Sequence, residues 1–307
     1  MKWNLNTIPR IHFLIYMFLV LAQALCVQAQ ETNFNFQATQ AAADKGDAQA
    51  QYVLAGCYAK GRDVALDHAK AAQYLRLSAE QGYAPAEIML GSFYGRGLGV
   101  HRNLTTAVEW YRKAADQGNA LAQYAMGSFY ATGRGATKDM AQAIQWWQKA
   151  AAQNQAGAEA ALGQLFLTPT PACGTNYLNY PDALHWLRLA AAQSNAPAMN
   201  NLGVAYENGL GVTMDAKEAA RWYRDAAERG DAAGQANLGQ LYFDGRGDAF
   251  DLVQAYKWFK LSSTQGNPIG VAGFANFQSH QLLVPQQIEQ AEELVQNFKL
   301  SVNQNQL

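Results

Sequence analysis

Residues 90–118 read LGSFYGRGLGVHRNLTTAVEWYRKAADQG. Taken alone, Trp110-Tyr111-Arg112-Lys113 could be a ligand box, with rings to stack on a base or a sugar. The string returns, however, as AQAIQWWQKAAAQNQA at 141–156 and EAARWYRDAAERGDA at 218–232. A motif that recurs at a fixed interval marks a framework before it marks a site.

Aligning the chain on itself gives the interval. GDAQAQ at 46, GYAPAE at 82, GNALAQ at 118, NQAGAE at 154, SNAPAM at 194 and GDAAGQ at 230 open equivalent units, spaced 36, 36, 36, 40 and 36 residues apart. A period in that range indicates stacked supersecondary units, each burying its apolar face against its neighbours. One column holds only Asp or Asn: Asp67, Asn103, Asp139, Asn179, Asp215 and Asp251. That is the chemistry of an N-cap, whose side-chain oxygen accepts from a free backbone N–H. Four residues on stands Ala71, Ala107, Ala143, Ala183, Ala219 or Ala255. Seven on stands Tyr74, Trp110, Trp146, Trp186, Trp222 or Trp258, with Leu75, Tyr111, Trp147, Leu187, Tyr223 or Phe259 next to it. This i, i+4, i+7, i+8 spacing is a helical stripe, and it predicts a ring buried by the second helix of each unit.

The preceding helix carries Leu54, Leu90, Met126, Leu162, Leu202 and Leu238, followed four residues later by Tyr58, Tyr94, Tyr130, Phe166, Tyr206 and Tyr242. Next to each apolar residue stands Ala55, Gly91, Gly127, Gly163, Gly203 or Gly239. Glycine inside a helix costs roughly 1 kcal/mol against alanine, so its recurrence predicts a neighbouring ring or backbone pressed on that spot. Gly-rich turns at 95, 133, 209 and 245 join the two helices. The fold expected is all-α, a solenoid of helix-turn-helix repeats of about 36 residues. The units run 46–81, 82–117, 118–153, 154–193, 194–229 and 230–265. Residues 30–45 form an N-terminal capping helix and 266–307 a degenerate seventh repeat, with Ala291 in the alanine column and Leu294 and Val295 in the aromatic ones.

The pattern LG..Y..G.GV..N...A..WYRKAA.QG at 90–118, with its five relatives, resembles the Sel-one-like repeat family across residues 46–265. The resemblance implies a right-handed α-solenoid and an adaptor or scaffold role, and secreted bacterial members commonly serve in envelope assembly, signalling or host contact. A cysteine-rich subgroup of that family, linked to penicillin binding and β-lactamase activity, ties its helix pairs with disulfides. This chain lacks those cysteine pairs. A cell-wall-directed enzyme of the β-lactamase or penicillin-binding type is therefore the rival reading, by analogy alone.

The first 29 residues have the pattern of a secretory signal peptide: Lys2 and Arg10, an apolar run from Ile11 to Leu25, and Val27-Gln28-Ala29 before the cut. The alternative is an uncleaved anchor, since the run approaches the roughly 17 residues needed to span a bilayer. Cleavage after Ala29 leaves 21 basic and 24 acidic residues, net −3. Such a balance argues against nonspecific binding to nucleic acid. The expected location is periplasmic or secreted. Cys57 and Cys173 then remain, with Cys57 in a core column shared with Phe93 and Phe129 and Cys173 a possible reactive thiol in the insert at 168–179.

Motifs for catalysis are missing. No Ser precedes a Lys by three residues, and Lys-Thr-Gly, Gly-x-Ser-x-Gly and a phosphate-cradling Gly-x-x-x-x-Gly-Lys do not occur. The histidines are scattered without metal-ligand spacing, so no metal and no cofactor is expected. On the first helices, the face away from the Leu90–Tyr94 stripe carries Val53, Met89, Ala125, Ala161, Asn201 and Asn237, then Gly56, Ser92, Ser128, Gln164, Val204 and Gln240. Carboxamides both donate and accept. Asn200, Asn201, Asn237, Gln164 and Gln240 are thus the candidates to hold a peptide or protein partner.

Overall fold

The computed structural model describes residues 35–169, 177–247 and 250–304, and every regular element among them is a helix. The leader segment and Cys173 lie outside the described residues. The chain opens with α1 (Phe36–Asp44), shorter than the capping stretch read from the sequence. First helices of the repeats are α2 (Ala48–Lys60), α4 (Ala84–Arg96), α6 (Ala120–Thr132), α8 (Ala156–Leu167), α10 (Ala196–Asn208) and α12 (Ala232–Asp244). Their partners are α3 (His68–Glu80), α5 (Leu104–Asp116), α7 (Met140–Ala151), α9 (Tyr180–Ala192), α11 (Ala216–Glu228) and α13 (Leu252–Thr264). Two last helices follow, α14 (Pro268–His280) and α15 (Pro285–Gln304). The contacts divide the chain after Ala158 into two compact units.

Every residue of the Asp/Asn column is an N-cap in the structure, accepting from a backbone N–H of the first turn. Asp139, for instance, accepts at 3.0 Å from Gln142, while its own N–H returns to the Tyr130 carbonyl at 2.9 Å. That return closes the turn between the paired helices. Gly133 ends α6 at φ 70°, and Gly135 follows at φ 76°, where a Cβ would lie 2.5 Å from the Leu104 carbonyl oxygen of the previous repeat. The first glycine supplies the left-handed conformation of a helix C-terminus. The second lets the turn press on the start of α5.

The helical glycines answer to side chains, as the sequence suggested. A Cβ on Gly91 would meet the Tyr111 ring at 2.8 Å, and one on Gly203 would meet Tyr223 at 2.5 Å. Leu187 and Phe259 stand in the same relation to Gly163 and Gly239, at 2.6 and 3.1 Å, and Trp147 presses on Gly127. The position eight residues past the cap is therefore the true core column, and all six of its members are buried. The neighbouring Trp column differs from expectation. Trp146 and Trp258 are buried, whereas Tyr74, Trp110, Trp186 and Trp222 are half-buried. The alanine stripe fixes the helix rotation so that only one of two adjacent rings can point straight at the partner helix. The other slides along its flank, and Lys113 and Lys149 lie 3.8 and 4.3 Å over Trp110 and Trp146.

In the second unit, α13 packs against both α14 and α15. Ala291 and Val295 are fully buried, in keeping with their columns. Phe298 meets Trp258 edge-on at 5.5 Å, and Glu292 takes hydrogen bonds from Tyr256 and Lys260. No helix among the described residues is long and apolar enough to cross a membrane.

Candidate partner-binding face

Of the five candidate carboxamides Gln164 stands on α8, and two helices of the second unit carry the other four. Asn195 and Asp231 cap their starts, accepting from Ala198 at 3.0 Å and Gly234 at 2.7 Å; Gly209 and Gly245 end them in the left-handed region. The caps fix where each helix begins and so fix which residues share a face. α10 and α12 pack on each other directly.

On this frame Asn237 Nδ2 donates to Asn200 Oδ1 at 2.8 Å. Asn200 is only 9% exposed, so the expectation that it presents a free carboxamide is corrected: five residues into the helix it turns under α12, and its oxygen is occupied there. Asn201 and Asn237 are half-buried and Gln164 is exposed. Gln240 is half-buried and donates to Asp244 at 2.9 Å. The face in the first unit is less open than periodicity suggested, because Met89 and Ser92 are buried.

About two turns further along the same helices lies a charged group. Arg246 meets Glu207 at 2.9 Å and Asp244 at 3.0 Å. Tyr223 donates its hydroxyl to Glu207 at 2.6 Å. Burial, reinforced by the Glu207 carboxylate, pushes the Tyr223 phenol far above its ordinary range, so it stays a donor at physiological pH. The Gly-rich turns carry Arg62, Arg134 and Arg246. At Arg246 the two carboxylates cancel that charge, and Arg62 lies 3.6 Å from Asp63.

A second polar system escaped the sequence reading. The third residue after the start of each first helix is Gln51, Glu87, Gln123, Glu159, Met199 or Gln235, and all are buried. Gln81, Gln117, Gln153, Gln193 and Gln265, at the ends of the second helices, donate to Gln51, Glu87, Gln123, Glu159 and Gln235 at 2.7–2.9 Å. The signal was present as two Gln-rich columns 30 residues apart, but Gln is common in this chain and the columns looked like surface. In the fifth repeat both members change together: Met199 takes the acceptor's place, and Arg229 takes the donor's and turns to the Asp225 carbonyl at 2.8 Å. That repeat also holds Asn200, where the others have Tyr52, Ile88, Tyr124, Ala160 and Ala236. The fifth repeat thus departs from the common pattern at Met199, Asn200 and Arg229.

Among the described residues no group of His, Cys, Asp and Glu could hold a metal ion. Cys57 is buried and free, its thiol pushed up by burial and by Asp63, which suits a core filler and not a nucleophile.

The paired helices, their capped turns and the stripe of interlocked rings define an α-helical repeat solenoid. The model of the Sel1 repeat matches at residues 48–83, 84–119, 120–155, 156–195, 196–231 and 232–267, and the chain belongs to the Sel1 repeat family. Each match begins at the first residue of a first helix. Among solved structures it is similar to a protective antigen of uropathogenic Escherichia coli strains displaying an SLR fold, at 32% identity and TM-score 0.70 over 86% of this chain. The chain spans 56% of that antigen's length. It is also similar to a Sel1 repeat protein from Oxalobacter formigenes, at 31% identity and TM-score 0.66, over 81% of this chain and 96% of the other. Comparison with curated proteins gives no match.

Proposed function

We propose that this protein is a non-catalytic scaffold, exported to the periplasm or beyond, that holds an extended segment of a partner protein on the α10–α12 face. The observation that carries the reading is the Asn237–Asn200 bond at 2.8 Å. It occupies one side of each amide and fixes the Asn237 head group, whose oxygen stays available beside half-buried Asn201. An extended segment has unpaired N–H and C=O groups along its length, and the Asn237 oxygen with the Asn201 amide answers both. Fixing Asn237 beforehand lowers the entropy lost on binding. Solenoid proteins bind along such stacked faces, and the fifth repeat carries Asn200 and Asn201 where the first four have apolar or aromatic residues. The Escherichia coli relative is described as a protective antigen, which fits an exported chain.

The test replaces Asn201 and Asn237 together by Ala. A photo-crosslinker placed at Gln240 in intact cells then reports the captured partners by mass spectrometry. Capture should fall by roughly tenfold or more, as expected when about 1.4 kcal/mol of hydrogen bonding is lost. Undiminished capture by a variant with unaltered thermal stability would remove the proposal.

A further inference from the structure

The buried Gln columns carry a consequence for two acidic members. In three repeats the side chain makes the same pair of bonds. Gln51 Nε2 donates to the Ala43 carbonyl, Gln123 Nε2 to Ala115 and Gln235 Nε2 to Ala227, each at 3.2 Å, while each Oε1 accepts from the Gln 30 residues on. The receiving carbonyls belong to the preceding helix end, and each also takes the N–H of the glycine that follows: Gly46, Gly118 and Gly230, all at 3.0 Å. The bond therefore ties one repeat to the next.

Glu87 occupies this column in the second repeat. It is 2% exposed, and its Oε2 accepts from Gln117 at 2.7 Å. Its carbonyl counterpart is Ala79, which takes the Gly82 N–H at 2.9 Å just as the others take theirs. Glutamate is isosteric with glutamine, but in place of the Nε2 donor it has a second oxygen. That oxygen can donate only when it carries a proton.

We infer that Glu87 is a proton-operated latch on the seam between α3 and α4. Protonated, its carboxyl donates to the Ala79 carbonyl as glutamine does. Ionised, it turns a lone pair toward that carbonyl, and the seam loosens. The proton comes from solvent and returns to it, with no other change of bonding.

The surroundings favour the protonated form. Burial raises the carboxyl above its ordinary range, and Lys113 of α5 opposes this in part. The Lys113 ammonium is itself held 3.8 Å over the Trp110 ring. Of the charged groups near the ends of the packed helices, Glu80 of α3 is exposed, Arg76 of α3 is bonded to Tyr94 at 2.8 Å, and Asp116 of α5 is exposed. Glu159 repeats the substitution in the second unit. It is 1% exposed, accepts from Gln193 at 2.8 Å and is raised by burial, against its bond from Gln193 and the charge of His185. A carboxyl raised in the folded state stabilises fully below its unfolded value, and the contribution fades as pH rises through the folded value. The α3–α4 seam is thus tightened by acid.

Thermal unfolding of the full chain at about pH 4 and about pH 7.5, either side of the ordinary glutamate range, tests the latch with opposite substitutions. Glu87→Gln should match the parent in acid and melt higher at neutral pH, by about 2–4 °C, the shift usual for one buried hydrogen bond in a unit of this size. Gln51→Glu should install the dependence where it is absent: a lower midpoint at neutral pH, with recovery in acid. Parallel pH curves for the parent and Glu87→Gln, or an equal loss by Gln51→Glu at both pH values, would overturn the inference.

Discussion

Gly203→Ala sets two physical effects against each other at one atom. Alanine is the better helix former by roughly 1 kcal/mol, so by propensity alone the variant should be more stable. The new Cβ, however, would lie 2.5 Å from Cδ1 and Cε1 of Tyr223, whereas carbon contacts settle near ~3.5–4.0 Å. The ring must retreat by about 1 Å, from a site with no solvent exposure. Overpacking of this kind costs about 1–3 kcal/mol. The same retreat stretches the 2.6 Å bond from Tyr223 to Glu207, and a bond to a charged group contributes about 1.5–3 kcal/mol. The net expectation is destabilisation by about 2 kcal/mol, a midpoint lowered by several degrees. Circular dichroism during heating measures it. The first repeat supplies the control, because Ala55 and Leu75 coexist there, both fully buried. Gly203→Ala with Tyr223→Leu should therefore recover stability relative to Gly203→Ala alone. A single variant as stable as the parent, or a double variant worse than the single, would refute the steric account of these glycines.

Asp139→Ala removes the acceptor for the Gln142 N–H and should cost about 1 kcal/mol, while Asp139→Asn should cost little; chemical denaturation compares the two. Removal of residues 285–307 should uncover Trp258, which is 4% exposed in the intact chain, and shift tryptophan emission to the red. The docking of α15 should also respond to acid. Burial pushes the Glu292 carboxyl up, but hydrogen bonds from Lys260 and Tyr256 and the Lys299 charge outweigh it and hold it below its ordinary range. Its contribution is present above the unfolded value and is lost as pH falls through the folded one. Glu292→Gln should weaken docking at neutral pH and make little difference in strong acid, read by the same emission shift.

How far the sequence could be read depended on repetition. Six copies of Asp or Asn at one position identify a cap with no structure in hand, and Gly beside Leu or Met predicts a close ring. What could not be read was which of two adjacent rings enters the core, since Trp110 and Tyr111 are only about 100° apart around the helix. The angle at which helices pack decides that, and the smallest residues at the contact set the angle. Asn200 joins the candidates by its carboxamide alone, since it belongs to neither column of that face, and the approach of α12 buries it while Asn201 stays half-open. The Gln columns stayed hidden for a different reason. A buried carboxamide has the same letter as an exposed one, and only its partner shows the difference.

That partnership separates framework from function within an array. Where a column changes in step with the column it bonds to, as Met199 does with Arg229, the chain has kept its internal accounts balanced: an apolar side chain fills the space, and the unneeded donor turns elsewhere. A buried polar atom left alone would cost about 1–3 kcal/mol, so such changes come together. Asn237 departs from Val53, Met89, Ala125 and Ala161 in step with the buried Asn200 to which it donates, whereas Asn201 departs from them with no such bond. The Asn201 amide and the Asn237 oxygen lie outside the pattern the repeats share, because small or apolar residues fill the same column in the first four. Half-exposed hydrogen-bonding groups added to a helix that folds without them bring little stability. In the proposed function they are the groups that a partner segment meets.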